Sequence, residues 1–284
     1  MAESAKEAAH HSVWVQGAVR RRGRGGGQVS GLDRDRITEV TVRLLDAEGL
    51  ARFSMRRLAA ELNVTAMSVY WYVDTKDDLL ELALDAVFGE MTLPDPGPDP
   101  GPESDLDRES DPDRESDPDR EPDPDSEPGS GEDWRGQLRA LAREYRTLLV
   151  RHPWVSPLAG TFLNLGPNNL AFSRVVQHLI RRTGLPVHGL AAATSSVFQF
   201  VYGFGTIEGH FNARAKAVGM TPDEYFRHAM STVTQAPQAA DIVKESQDIM
   251  AARGGGTVEE MWERDFEFSL DLVIAGIEAM VKRG

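Results

Sequence analysis

The residues best suited to chemistry in this chain are cations set among small polar and apolar side chains. Arg56 lies next to Arg57, and Lys76 follows further along. A planar guanidinium matches the O6/N7 edge of guanine, and either Arg or Lys can hold a phosphate. Between them, Ala66 and Met67 can offer only apolar contacts, for example to a thymine methyl group. Upstream, Arg20, Arg21, Arg22 and Arg24 run into Gly25–Gly27. Arg in a flexible Gly-rich strand can enter a narrow, A/T-rich minor groove.

Enzymatic chemistry finds less support. Gly203-Phe-Gly-Thr-Ile-Glu-Gly209 is spaced wrongly for a nucleotide loop and no strand pattern precedes it. Glu208 and His210 point in different directions on a helix, and Asp241, Glu245 and Asp248 read as a solvated helix face. There is no Walker sequence, nucleophile elbow or His-x-x-x-His pair, and no Cys for a thiolate metal site or a disulfide. The expectation is a protein that is not an enzyme, with no metal and no cofactor.

The elements that must position the cations are helical. Ile37, Val40, Thr41, Leu44 and Leu45 repeat at three- and four-residue spacing, which predicts a helix over 34–48 ended by Gly49. Ser54 caps a second helix over 55–62, Asn63-Val64 makes a turn, and Thr65 caps a third of about two turns. Two short helices joined by a tight turn behind a longer support form the helix-turn-helix pattern. Further helices are expected over 134–151, 167–183, 188–213, 222–234, 237–252 and 257–282, two of them opened by the boxes Thr221-Pro-Asp-Glu224 and Thr257-Val-Glu-Glu260. Without convincing period-two alternation, the fold class is all-α.

Four segments follow: a flexible basic arm over 1–31, a DNA-binding unit over 32–91, an acidic Pro/Asp/Glu/Ser insert over 92–132 and a helical domain over 133–284. The net charge of −14 argues against nucleic acid until its position is considered. Residues 92–133 hold 17 Asp/Glu and 3 Arg, which accounts for the whole excess and leaves the rest of the chain neutral. The insert reads either as a tolerated loop or as a tethered polyanion that competes with phosphate; the arm reads either as a groove contact or as a solvated tail. No uninterrupted apolar run is long enough to span a bilayer, and Gly-rich sequence follows the arginines where a signal peptide needs apolar residues. The expectation is a cytoplasmic protein without membrane contact.

Phe53-Ser-Met-Arg-Arg-Leu-Ala-Ala-Glu-Leu-Asn-Val64, Ser68-Val-Tyr-Trp-Tyr-Val73 and Lys76-Asp-Asp-Leu-Leu80 resemble the DNA-binding motif of the TetR (tetracycline-repressor) family almost position for position. The Tyr70-Trp71-x-Val73 run is similar to the tetracycline-repressor branch in particular. The resemblance implies that Arg56 reads a base edge or clamps a phosphate, that Thr65, Ala66, Met67, Ser68, Tyr70 and Tyr72 form the reading surface, and that Lys76 holds a phosphate beside the free amides of the fourth helix. Trp71 is expected to pack under the motif as core. The branch usually has an amide at 66 and a base at 74, whereas this chain has Ala66 and Asp74, so the operator sequence does not carry over.

Asp133-Trp-Arg…Arg151-His-Pro-Trp154 and Leu165-Gly-Pro-Asn-Asn169 resemble, more loosely, the C-terminal domain of the same branch. The final helix is apolar on two faces, one with Trp262, Phe266, Leu270, Val273, Ile277 and Met280 and another with Phe268, Leu272 and Ile274, so it needs a partner besides its own core. With the 188–213 helix it is expected to form a homodimer. The resemblance implies a repressor of a palindromic operator that a small-molecule effector releases, the effector being an antibiotic or related product and the controlled gene an exporter. Phe162, Asn168, Phe172, His178, Phe198, Gln199 and Tyr202 are the candidate ligand contacts. The alternative is a ligand-independent helical DNA-binding or architectural protein.

Overall fold

The computed structural model describes residues 12–16, 32–95, 133–246, 249 and 256–283. All regular elements among them are helical. In the N-terminal half, α1 (Arg34–Glu48) is capped by Asp33, whose carboxylate accepts from the Arg36 amide at 2.7 Å, and it ends where Gly49 takes φ 77°. Ser54 opens α2 (Met55–Glu61) and Thr65 opens α3 (Ala66–Tyr70), each accepting from the amide three residues on. Asn63 turns the chain between them at φ 55°. A full capping box of Thr75 and Asp78 starts α4 (Lys76–Phe88).

The C-terminal half consists of α5 (Trp134–Arg151), α6 (Val155–Ala159), α7 (Pro167–Arg181), α8 (Val187–Ala217), α9 (Pro222–Gln235), α10 (Ala240–Glu245) and α11 (Val258–Val281). The expected boxes at Thr221/Glu224 and Thr257/Glu260 are both closed. Three boundaries depart from the periodicity. Pro237 opens a 3-10 turn rather than an α-helix, so α10 is short. The good helix formers Arg214, Lys216 and Ala217 carry α8 past 213. The single turn and a half of α6 carries too little repeat to show in the sequence.

A larger correction concerns the arm. Ser12–Gln16 is not a free strand: Val13–Gln16 forms a single helical turn, and Ser12 is buried with its hydroxyl donating to Glu81 Oε2 at 2.6 Å. The Val13 amide also donates to Glu81, and Val13 and Trp14 pack against the core. Arg20, Arg21, Arg22 and Arg24 lie outside the described residues, as do residues 96–132 of the acidic insert and Asp248.

One apolar core runs through both halves, and α4 lies at its centre. Leu79, Ala83 and Val87 of α4 are fully buried, with α1 against one side and α6 and α7 against others. Among the described residues, the most extensive helix contact is that of α5 with α8. Gly205 and Gly209 make that approach possible, since a Cβ at Gly209 would lie 2.7 Å from the Leu149 carbonyl oxygen. The segment 203–209 is thus a helix contact. Arg146 of α5 sits in the same seam, forked onto Glu208 at 2.7 and 3.1 Å and lying over the Phe266 ring at 4.6 Å. An 18-residue stretch of α8 is long and apolar enough by composition to cross a membrane, although Thr, Ser and Gln interrupt it and only 22% of it is buried within the chain.

The two glycine types in α8 should respond oppositely to an added methyl group. Gly209→Ala forces Leu149 and its backbone aside and should cost about 1–3 kcal/mol in urea unfolding. Gly203→Ala meets nothing within 4 Å inside the chain and should stabilise the helix of the free protomer by about 0.5–1 kcal/mol.

Candidate nucleic-acid interface

Val69 and Val73 are the buried residues that hold α3 to the core. Their four-residue spacing decides what the rest of the turn presents. Met67 is 68% exposed, Tyr70 is exposed, and Trp71 is 69% exposed. Trp71 is therefore not the core aromatic expected under the motif. Tyr72 takes that place: it is half-buried against the core, and its buried Oη has no hydrogen-bond partner among the described residues. The helix stops at Tyr70, and the turn that follows sends Trp71 outward and Tyr72 back between the valines. Of the residues predicted to read bases, Tyr72 is the one turned inward. Thr65 and Ser68 hydrogen-bond each other at the start of α3, with Oγ1 and Oγ at 3.0 Å. Ala66 is half-buried beside them.

The two neighbouring arginines of α2 have separate fates. Arg57 is fastened to Glu48 at 2.7 Å and to Glu61 at 2.9 Å, so it braces α2 against α1. Arg56 is exposed and has no ion pair or hydrogen bond among the described residues. Lys76 departs from expectation. Its ammonium donates to the Phe53 carbonyl at 3.1 Å and lies 5.5 Å from the centre of that ring. The first turn of α4 also carries Asp77 and Asp78, and Asp78 closes the capping box. That helix end is thereby less attractive to a phosphate than its free amides suggested.

Residues 37–83 match the family described as "Bacterial regulatory proteins, tetR family", and residues 127–281 match the family described as "Tetracyclin repressor-like, C-terminal domain". The chain belongs to the TetR family. It is 30% identical to an HTH-type transcriptional regulator of Saccharopolyspora erythraea, over 87% of this chain and 85% of that protein. It is also 30% identical to the HTH-type transcriptional repressor DrrR1 of Streptomyces coeruleorubidus, over 87% and 77% of the two chains. Among solved structures, the Streptomyces coelicolor TetR family protein ActR in complex with actinorhodin superposes with a TM-score of 0.58 at 24% identity, covering 88% of this chain and 97% of that one. This last likeness shows the fold.

Behind the helix-turn-helix, two polar joints tie α4 to the C-terminal domain of this TetR-family chain. At the first, Asp85 caps α7: its carboxylate accepts from the amides of Asn168 and Asn169, the latter at 2.9 Å, while Asn168 Nδ2 donates to the Asp85 carbonyl at 3.0 Å. Gly166 permits this, because a Cβ there would overlap the Asp85 carboxyl group. Burial raises the pKa of Asp85 against the lowering effect of those bonds. At the second joint, His152 is only 3% exposed and has a carboxylate at each ring nitrogen: Asp46 of α1 at Nδ1, 2.6 Å, and Glu90 just past α4 at Nε2, 3.2 Å. Trp154 Nε1 donates to the same Asp46 oxygen at 2.7 Å, and Arg151 to the same Glu90 oxygen at 3.1 Å.

The candidate ligand contacts are only partly brought together. Phe172 and Phe198 meet edge to face at 5.5 Å and pack with Tyr145 and Phe88 into an aromatic cluster. Tyr202 Oη donates to the Ser156 carbonyl at 2.8 Å, and Asn168 is engaged with Asp85. Phe162 is half-buried on the core, whereas Gln199 lies exposed on α8. His178 is half-buried, with an Nε2 that finds no partner among the described residues. Neither joint, that of Asp85 or that of Asp46, Glu90 and His152, is marked by a motif in the sequence. His152 was visible only as part of the His-Pro-Trp run, and the three acids look like ordinary surface charges on their helices.

His152 sets a pH dependence. Burial opposes protonation, but the hydrogen bonds and charge of Asp46, and then of Glu90, outweigh it, so the folded-state pKa is raised. The stabilisation is fully present below the ordinary value of about 6.5 and is lost as pH rises through the raised folded value. Unfolding free energy followed upward from pH 6 should fall over that range, and His152→Asn should remove this part of the fall. An unchanged profile in the variant would show that the joint does not titrate.

Proposed function

We propose that this chain is a dimeric repressor that holds a palindromic operator and is released from it by a small molecule. The observation that carries the reading is the exposure of Arg56, Met67, Tyr70 and Trp71 on one rigid helix pair whose other arginine is locked to its scaffold. Arg56 supplies the fork for guanine, Thr65 and Ser68 the hydroxyls, and Ala66 and Met67 the apolar contact with thymine methyls. Trp71 joins Tyr70 at the rim in place of Tyr72. Lys76 reaches phosphate by giving up the Phe53 carbonyl.

Dimerisation is supported by apolar surface that the chain does not cover itself. Phe268 and Leu272 of α11 are 67% and 60% exposed, and Ile207 of α8 is 61% exposed. A two-fold axis through α8 and α11 buries these faces and repeats α3 across it, as a palindrome requires. The same covering accounts for the membrane-like composition of α8, and we place the protein in the cytoplasm with its DNA.

Ligand release follows from differential affinity for two arrangements. Opening the Phe172–Phe198 cluster for a ligand displaces α7. Asp85 passes that motion to α4 and so to the spacing of the two α3 helices. An aromatic natural product is the class of effector such a ring-lined site takes, with an exporter as the controlled gene; the fold neighbour ActR is crystallised in complex with actinorhodin.

Footprinting on the DNA upstream of the protein's own gene, repeated with polycyclic aromatic compounds, tests the reading. A protected palindrome with half-sites about one helical turn apart is expected, lost when an effector is added. Arg56→Ala should cost about 1–3 kcal/mol of operator affinity at unchanged thermal stability, whereas Arg57→Ala should lower stability. Absence of any protected palindrome would overturn the repressor; protection that no compound relieves would favour a ligand-independent DNA-binding protein.

A further inference from the structure

A cleft of about 550 Å³ opens where α1, α4 and the first turn of α7 meet, away from the aromatic cluster. That volume falls in the range of sites for drug-sized molecules. Val42 of α1, Leu82 and Ala86 of α4 and Pro167 of α7 line it with apolar surface, and the docked N-terminal turn adds the Trp14 indole. The carboxylates of Asp35, Glu39, Asp85 and Glu90 and the guanidinium of Arg34 complete the lining. An apolar cleft with an indole wall and an excess of carboxylates is complementary to a flat ring system carrying positive charge.

Three of the four carboxylates already have partners, Glu39 among them in an exposed ion pair with Arg36 at 2.7 Å. Asp85 holds the first turn of α7, and Glu90 receives His152 and Arg151. A cation entering the cleft competes with those partners, and it does so at the joints that set α4 against the C-terminal domain. Occupancy and joint strength are then opposed.

We propose that this cleft is a second small-molecule site, distinct from the Phe172–Phe198 cluster, that takes a planar aromatic cation stacked on Trp14, and that the bound cation loosens the Glu90–His152 joint. Only the consequence for DNA rests on the repressor reading; the binding itself does not. The docked turn at Ser12–Gln16 gains a role as a wall of the site, held there by Glu81.

The test uses the full chain without DNA. Proflavine, a flat tricyclic cation, is titrated calorimetrically, with anthraquinone-2-sulfonate as an anion of similar size. In protein labelled with 5-fluorotryptophan, the Trp14 resonance is assigned through Trp14→Phe. Proflavine is expected to bind and shift the Trp14 resonance, and the sulfonate to bind at least roughly tenfold more weakly. Trp14→Ala and the pair Asp35→Asn/Glu39→Gln should each weaken proflavine roughly threefold to tenfold, with circular dichroism confirming the fold. Proflavine should also lower the midpoint of the His152 imidazole titration by NMR.

No binding at roughly millimolar proflavine, or binding that leaves Trp14 unshifted, would overturn the site. Equal affinity for the sulfonate would overturn its charge preference, and an unmoved His152 midpoint would overturn the coupling. Binding at Trp14 by a protein that protects no DNA would leave the cleft standing and remove the repressor. An operator released by other compounds, together with no proflavine binding, would do the reverse.

Discussion

Helix α4 is buried on nearly every side, and its carboxylates are buried with it. Asp78, Glu81 and Asp85 are each about 5% exposed and lie along a single stripe of the helix. A carboxylate taken out of water without partners costs several kcal/mol, so each must be met by a donor. Asp78 is met locally, by the Thr75 amide within the capping box. Glu81 is met by Ser12 and Val13, far back in the chain, and Asp85 by the first amides of α7, far ahead. The need to satisfy one stripe of acids therefore fastens the N-terminal turn, the helix-turn-helix and the regulatory helices to one another.

This arrangement makes α4 a stiff link rather than a tether. Its N-terminus carries the reading unit through Val69, Val73 and the Lys76–Phe53 contact, and its C-terminus enters the aromatic cluster through Phe88. Past that end, Glu90 and His152 bind it to α1 by way of Asp46. Both ring nitrogens of His152 face carboxylates, so the doubly protonated ring is the form that satisfies both sides. Movement of α7 or of the α5–α6 corner relative to the reading unit must exchange these bonds for others. Such discrete exchange is how packed interfaces come to have two states instead of a continuum.

The α5–α8 seam shows a different balance. Gly205 and Gly209 let the two backbones approach, which leaves Arg146 and Glu208 buried face to face between aromatic rings. A buried pair of this kind adds little net stability over apolar packing; loss of Arg146 strands Glu208 as a lone buried charge, whereas loss of Glu208 leaves Arg146 its second partner, Glu263, at 2.5 Å. The pair holds the register of the two helices while the outer faces of α8 and α11 stay apolar. The protomer is closed on one side of each helix and leaves apolar side chains such as Ile207, Phe268 and Leu272 exposed on the other.

What could be read from the sequence alone was whatever a few consecutive residues decide. The limits of α1, its buried stripe, the caps at Ser54, Thr65, Thr221 and Thr257 and the turn at Asn63 follow from hydrogen bonds and torsions within one or two turns of helix. The family likeness of 53–80 rests on that same local order. Tertiary structure decided which way neighbours face when the periodicity ends: Trp71 went out and Tyr72 in because the turn after α3 is shaped by what Val69 and Val73 pack on. It also decided partners across long separations. Arg56 and Arg57 are equivalent as residues, yet only Arg57 has Glu48 and Glu61 within reach. Asp46, Glu90 and His152 look like isolated charges until the chain folds them into one joint around the buried His152 ring, since burial and pairing belong to the packed chain and not to any stretch of it.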